Sequence, residues 1–205
     1  MTRDDISIEL NESSILRTAR LVLRRPRPAD AAAVAVLAND RLIADNTARI
    51  PHPYTLEHAQ AWIGGGTGDD FLAFAGGELI GAAGLTQHSG EEALELGYWI
   101  GAPFRGQGYA TEMARALVDY AFAVRGEKRL GVCCRVTNDA SRRVIEKCGF
   151  QWFGCGLIAS LGLGGAFPVD RFRLERHIWE SLMAWGETRA RAGGIVHVAD
   201  CALTA

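Results

Sequence analysis

Between Glu95 and Thr111 the chain reads Glu95-Leu96-Gly97-Tyr98-Trp99-Ile100-Gly101-Ala102-Pro103-Phe104-Arg105-Gly106-Gln107-Gly108-Tyr109-Ala110-Thr111. An apolar strand-like segment ends, glycines let the backbone curl, and a helical pattern begins at once. Successive amide N–H groups then point outward at a helix N-terminus, which makes a cradle for phosphate or another anion. At Gly106 and Gly108 a side chain would block close approach of the backbone to phosphate, and Arg105 adds charge beside them. Two established phosphate-binding patterns fail on these residues. A P-loop needs Gly-Lys-Ser/Thr after its glycines, and the turn has no lysine. A dinucleotide fingerprint needs a third glycine at position 111, where Thr111 stands, and an acidic residue closing the next strand, where Val136-Thr137 stands. An ordinary glycine-rich strand-to-helix turn remains the alternative reading of these residues alone.

The elements that would carry this turn follow from periodicity. Arg20–Arg24 alternates as a first strand, and Pro28 with Asp30 starts a helix running to about Asn39. Pro51-His52-Pro53 makes a rigid loop, Thr55 caps a helix through Ala59, Trp62 and Ile63, and Gly64-Gly65-Gly66 ends it. Phe71–Ala75 and Leu79–Leu85, joined by Gly76-Gly77, read as a hairpin, and Ala93–Ile100 as the strand entering the turn. Beyond the turn, Ala110, Met113, Ala114, Leu117, Ala121 and Val124 form one apolar helical stripe. Arg129–Val136 is a buried-looking strand. Asn138 or Asp139 caps a helix with Val144, Ile145 and Cys148 inward and Gly149 as its left-handed end. Strands near Gln151–Gly156 and Arg171–Ile178 follow, then a short helix from Trp179 and a polar tail. The expected organisation is a loosely held arm over residues 1–16, one mixed-sheet domain over 17–180, and a C-terminal helix and tail over 181–205.

Composition narrows the classes of function. At 205 residues the chain is long enough for one sizeable core. A formal net charge of −2, without a basic stripe, argues against nucleic acid as partner. The five cysteines, Cys133, Cys134, Cys148, Cys155 and Cys201, include no Cys-x-x-Cys pair and make no disulfide framework, so a reduced, cytoplasmic setting is expected. Cys133 and Cys134 are adjacent in one strand and point to opposite faces, as small core residues. The acidic first residues do not form a signal peptide, and Gly154–Pro168 is too short and glycine-rich to span a membrane. No metal-ligand cluster is expected.

A second segment, Asn138-Asp139-Ala140-Ser141-Arg142-Arg143-Val144-Ile145-Glu146-Lys147-Cys148-Gly149-Phe150, resembles the Asn-x-x-Ser…Glu-Lys-x-Gly-Phe segment of the RimJ/RimL-like branch of the GNAT superfamily of N-acetyltransferases. Arg105, Gly108 and Ala110 are similar to that family's Arg/Gln-x-x-Gly-x-Gly/Ala turn. Gly97-Tyr98-Trp99-Ile100 resembles its central strand and Arg20–Arg24 its opening strand, so the resemblance runs from about Thr18 to Trp179. It implies an α/β (α+β) three-layer fold. The sheet would be mixed, mostly antiparallel, of about seven strands, splayed at a central parallel pair with helices on both faces.

The resemblance further implies acetyl-CoA as co-substrate and an amine acceptor. Backbone groups near Trp99 and Ile100 would pair with pantetheine, and one of their N–H groups would serve the developing oxyanion. Amides from Gly106 through Gln107, Gly108, Tyr109 and Ala110 to Thr111, with Arg105, would hold the pyrophosphate. Asn138 would reach pantetheine with its side-chain amide, besides capping its helix. Ser141 would stand near the sulfur as proton donor, since Ile145 and its neighbours offer no hydroxyl where some relatives have a tyrosine. Glu95 could act as a base through water, as could Glu91 or Glu92, while His52 and His88 read as surface loop residues. The acceptor would be lined by Ile50–Tyr54, the helix near Trp62, and the uncharged stretch Leu157–Pro168, where relatives often carry a charge near Ala166. A protein N-terminal α-amine is the leading acceptor. A small amine is the alternative, and a silent acyl-CoA-binding module is the rival from another class. A monomer or homodimer is expected.

Overall fold

The computed structural model describes residues 7–9, 15–66, 69–88 and 93–192, with side chains described from 15 to 185. Glu91, Glu92 and Cys201 lie outside the described residues. The elements, in chain order, are β1 (Ser7–Glu9), β2 (Ile15–Arg17), β3 (Leu21–Arg24), α1 (Ala31–Ala38), α2 (Arg41–Asn46), α3 (Leu56–Gly64), β4 (Asp70–Ala75), β5 (Glu78–Gln87), β6 (Leu94–Ile100), α4 (Tyr109–Asp119), β7 (Arg129–Arg135), α5 (Asp139–Lys147), β8 (Gln151–Ser160), β9 (Gly165–Glu175) and α6 (Arg176–Ala192).

Among the described residues, nine strands form one sheet in the order β1-β2-β3-β4-β5-β6-β7-β9-β8. Every neighbouring pair is antiparallel except β6 and β7. The sheet therefore has two strands more than the expected seven. β1 and β2 pair onto β3 within the segment read from sequence as an arm, through short registers such as Leu16↔Leu23. Leu16 is fully buried, and that one anchoring side chain was too little periodicity to read as a strand.

Side chains alternate across β6 and so divide the molecule into two cores. Leu94, Leu96 and Ile100 join the larger one with Met113 and Leu117 of α4, Ile145 of α5 and Phe172 of β9. Trp99 packs into the smaller one with Val34 of α1, Ala59 of α3, Leu72 and Ala82. Helices thus cover both faces, giving the three layers. Beyond Asp119, α4 continues as a π-helical turn, Tyr120–Val124. There Phe122 stacks on Trp179 of α6 with ring centroids 5.3 Å apart.

Three boundaries differ from the sequence reading for local reasons. Asp40 accepts from the amides of Leu42 and Ile43 and so starts α2, a helix too short to show a periodic face. Strands β8 and β9 extend to Ser160 and back from Gly165, turning the glycine-rich stretch into a hairpin. β9 stops at Glu175, and α6 takes Arg176–Ile178, because Arg176 reaches back to the carbonyls of Phe122 and Glu127 at 2.7 and 2.8 Å.

Candidate acyl-donor site

The central parallel pair is joined only at its start: Leu94 lies opposite Leu130 and Glu95 opposite Gly131, and no pairing continues beyond them. β6 stays fully paired to β5 through Ile100, and β7 to β9 through Arg135. The two strands therefore open into a wedge whose inner edges, Leu96–Ile100 and Val132–Arg135, have no strand partner. Buried backbone polar groups demand partners, so this edge is suited to an extended ligand that carries amides. A cleft of roughly 800 Å³ fills the wedge and runs over the N-terminus of α4 to the face of α5.

At the outer end lies the glycine turn. Gly106 (φ +76°) and Gly108 (φ +82°) are both left-handed, and Gly108 is the N-cap of α4. The first amides of the helix, at Tyr109, Ala110 and Thr111, have no intrahelical acceptor. A Cβ on Gly106 would meet nothing within 4 Å, so the space over the turn is open for a ligand. Left-handed glycines, outward amides and an unpaired strand edge fit a pyrophosphate bearing a long amide-containing arm. Of the residues expected around this ligand, Trp99, Ile100, Arg105, Gly106, Gly108, Tyr109, Ala110, Thr111, Asn138 and Ser141 line the cleft. Gln107 is not among them. Its side chain donates to the Pro103 carbonyl at 3.2 Å and its own carbonyl accepts from Arg20.

Arg105 is also held from within the chain. Its guanidinium donates to the Ile100 carbonyl (3.2 Å) and to Asp40 (2.9 Å), so its charge is shared with a carboxylate and it ties the turn to the start of α2. The turn is braced from below by Arg20. This side chain pairs with Glu112 at 2.7 Å, donates to the Gln107 carbonyl at 3.0 Å, and lies 4.6 Å from the Tyr109 ring centroid. Glu112, one turn into α4 and 2% exposed, also accepts from the Thr18 hydroxyl and the Arg20 amide. Burial works against its charge, but these donors more than offset that, and its pKa falls below the usual glutamate value. Neither residue stood out in sequence, because the pair spans 92 positions.

Asn138 caps α5 by accepting from the Ser141 amide at 3.0 Å. The cap holds Ser141 at the cleft wall, where its hydroxyl is 2.8 Å from that of Tyr98. Glu95 sits where the wedge begins, on the same face of the sheet as Trp99. The Cys133 thiol donates to it at 3.5 Å and His88 Nε2 is 3.6 Å away. The structure thus brings His88, read as a surface residue, beside the candidate base, while His52 stays in an exposed loop outside the cleft. Cys133 lines the cleft rather than the core. Burial, with Glu95 adding to it, pushes its thiol up to about 12, and burial pushes Cys134 to about 11, so both stay protonated.

Leu42, Ile43, Asn46 and Thr47, from α2 and the residue after it, also line the cleft. Neither the expected wall around Ile50–Tyr54 and Trp62 nor the stretch Leu157–Pro168 lines the cleft; Tyr54 is buried in the smaller core, and Ile50 and Trp62 pack against it. The β8–β9 turn instead docks on α2 and its exit. Leu161 donates its amide to the Ala48 carbonyl at 2.9 Å, and a Cβ on Gly162 would lie 2.7 Å from the Ala44 carbonyl oxygen.

The description "Acetyltransferase (GNAT) domain" fits residues 20–151, well over half of the chain. The chain belongs to the GNAT family of N-acetyltransferases. Within this family it is similar to the ribosomal-protein-serine acetyltransferase of Escherichia coli, 33% identical over 87 residues, 42% of this chain and 48% of that protein. Across five curated relatives it spans between 31% and 61% of their length. Solved GNAT structures share its fold. An acetyltransferase from Bacillus anthracis matches with a TM-score of 0.70 at 23% identity, covering 80% of this chain and 99% of that one. RimJ from Mycobacterium smegmatis, solved with a coenzyme A disulfide, matches at 0.68 and 18% identity, covering 88% and 94%. The GNAT sheet thus accounts for the splayed parallel pair, and the RimJ/RimL-like motifs lie along its wedge.

Proposed function

We propose that this GNAT chain moves an acetyl group from acetyl-CoA to a primary amine, with a protein or peptide N-terminal α-amine as the leading acceptor. The observation that carries the reading is the open wedge between β6 and β7, with an anion nest at one end and Glu95 at the other. Acetyl-CoA, when bound, supplies an acetyl group activated as a thioester. The chain's own residues then have three tasks. The turn Gly106–Thr111 anchors the donor through its amides, and the edge of β6 near Trp99 and Ile100 offers N–H groups to a developing oxyanion. Ser141 presents a hydroxyl to the departing sulfur, and Glu95 draws in the ammonium and takes its proton through water. An α-amine makes the last task light: at neutral pH, freeing one of pKa near 8 costs about 1.4 kcal/mol, against about 4.6 for a lysine side chain.

The acceptor wall supports a narrow amine-bearing terminus. It is built from neutral residues of α2 with Glu95 as its carboxylate, and the β8–β9 turn holds the exit of α2 through the Leu161–Ala48 hydrogen bond. Gly162→Val would drive a branched side chain into the Ala44 backbone and unseat that turn. The expected result is a several-fold rise in acceptor KM with acetyl-CoA affinity unchanged, measured by thiol release.

An acceptor screen tests the function. Free thiol is followed while short peptides with free or blocked N-termini, and small amines, are offered with acetyl-CoA. Release with free-amine peptides only is the expected pattern. Release with small amines alone moves the acceptor class, and none with any amine removes the catalytic reading. Ser141→Ala should lower kcat by about a hundredfold or more while leaving acetyl-CoA affinity near wild type.

A further inference from the structure

Tyr98 stands on β6 at the point where that strand has lost its parallel partner, and its ring packs against the larger core below the wedge. Its hydroxyl reaches Ser141 on α5, 2.8 Å from Oγ and 3.3 Å from the backbone carbonyl. It is the contact that spans from the unpaired edge of β6 to the helix across the opening. Either hydroxyl can be the donor across this contact; the phenol is the more acidic of the two, which favours Tyr98 donating to Ser141 Oγ over the reverse. The serine proton is then free to point elsewhere. Both residues line the cleft, so the directions left to it are the cleft and the carbonyls of its own helix.

We propose that Tyr98 is a positioning residue for Ser141: its hydroxyl donates to Ser141 Oγ and turns the serine's own proton into the cleft, towards the sulfur of the acyl donor. This rests on the acyl-CoA reading of the cleft. Without Tyr98 the Ser141 hydroxyl is a free rotor one turn into a helix, and its nearest competing acceptors are backbone carbonyls of its own helix. Burial, only partly offset by the Ser141 hydrogen bond, pushes the Tyr98 phenol well above its usual range, so it keeps its proton throughout the working pH range. A chain of two hydroxyls also strengthens the second donor by polarising it. In the net transfer the C–N bond forms and the C–S bond breaks with its electron pair left on sulfur. Ser141 gives its proton to sulfur and is reprotonated, through water in the cleft, by the proton that nitrogen gave up, so one proton passes in net from nitrogen to sulfur and both hydroxyls end as they began.

The test reads the sulfur directly through binding. Calorimetry gives the affinities of CoA and of desulfo-CoA, which lacks the thiol, at pH 7 and pH 9, for wild type, Tyr98→Phe and Ser141→Ala. A donor aimed at sulfur favours the thiolate, so wild type should prefer CoA over desulfo-CoA by roughly fivefold more at pH 9 than at pH 7. Tyr98→Phe and Ser141→Ala should each lose that gain and keep wild-type affinity for desulfo-CoA. In turnover, Tyr98→Phe should lower kcat with unchanged KM for acetyl-CoA, and add nothing further in a Ser141→Ala background. A Tyr98→Phe protein that keeps the gain overturns the proposal, even if it is less stable, because the hydroxyl is then a strut only. Retention of the gain in Ser141→Ala overturns it whether or not Tyr98→Phe folds. If wild type binds neither ligand, the acyl-CoA reading itself falls.

Discussion

Gly108→Glu is expected to abolish the thermal stabilisation that acetyl-CoA gives the wild-type protein. A ligand at 100 times its dissociation constant adds about 2.7 kcal/mol to the folded state, which for a chain of this size is roughly 5–11 °C in Tm. The substitution acts twice. It places a carboxylate where the outward amides of Tyr109–Thr111 would hold a phosphate, and it forces a side chain onto a backbone with φ of +82°. The strain alone costs on the order of 1 kcal/mol and lowers the Tm of the free protein. Gly108→Ala separates the two effects. Its Cβ would lie 3.4 Å from the Arg20 guanidinium, a flexible neighbour, so it should carry the strain and retain most of the ligand shift. Differential scanning fluorimetry with and without acetyl-CoA reads both.

The second large effect is on stability. Arg20→Ala should destabilise the fold by about 3 kcal/mol, or roughly 6–12 °C in Tm. The magnitude follows from asymmetric burial: the Glu112 side chain is 2% exposed and that of Arg20 44%. Removing the arginine leaves a carboxylate held away from water, with the Thr18 hydroxyl and the residue 20 amide as its remaining donors. Removing the acid leaves a guanidinium that can turn to solvent, so Glu112→Gln should cost less, by urea unfolding. The pH dependence has a definite sign. Because the folded pKa of Glu112 lies below its unfolded value, its contribution is full above about pH 4.3 and is lost as pH falls through the folded pKa. The advantage of wild type over Glu112→Gln should therefore shrink on acidification from pH 6 to pH 3. Arg20→Ala should also weaken acetyl-CoA binding, since the lost guanidinium holds the Gln107 carbonyl of the turn.

The two motif segments were legible because they are local. A glycine turn before an amphipathic helix, and an Asn-x-x-Ser cap closing on Gly149, each announce their geometry within about a dozen residues, and the structure places both on one cleft. Most of what braces them was not legible. Tyr98 meets Ser141 across 43 positions and Arg105 meets Asp40 across 65, and no periodicity encodes such contacts. His88 read as loop decoration because the hairpin register that puts Thr86 opposite Glu95 is a property of strand pairing. The uncharged stretch Leu157–Pro168 gave an ambiguous pattern because β8 is an edge strand. Leu157 there is 69% exposed, so the usual alternation of buried apolar and exposed polar residues is missing. The pairing of Arg105 with Asp40 depends on the start of α2, which no pattern near the turn announces.

On the proposed function, the wedge and the glycine turn together hold acetyl-CoA. Titrating acetyl-CoA into isotopically labelled protein and following backbone amide resonances tests it most directly. Saturable shifts concentrated at Gly97–Ile100, Gly106–Thr111 and Asn138–Ser141 are the expected result. Shifts confined to other surfaces, or no shifts at millimolar ligand, would contradict it.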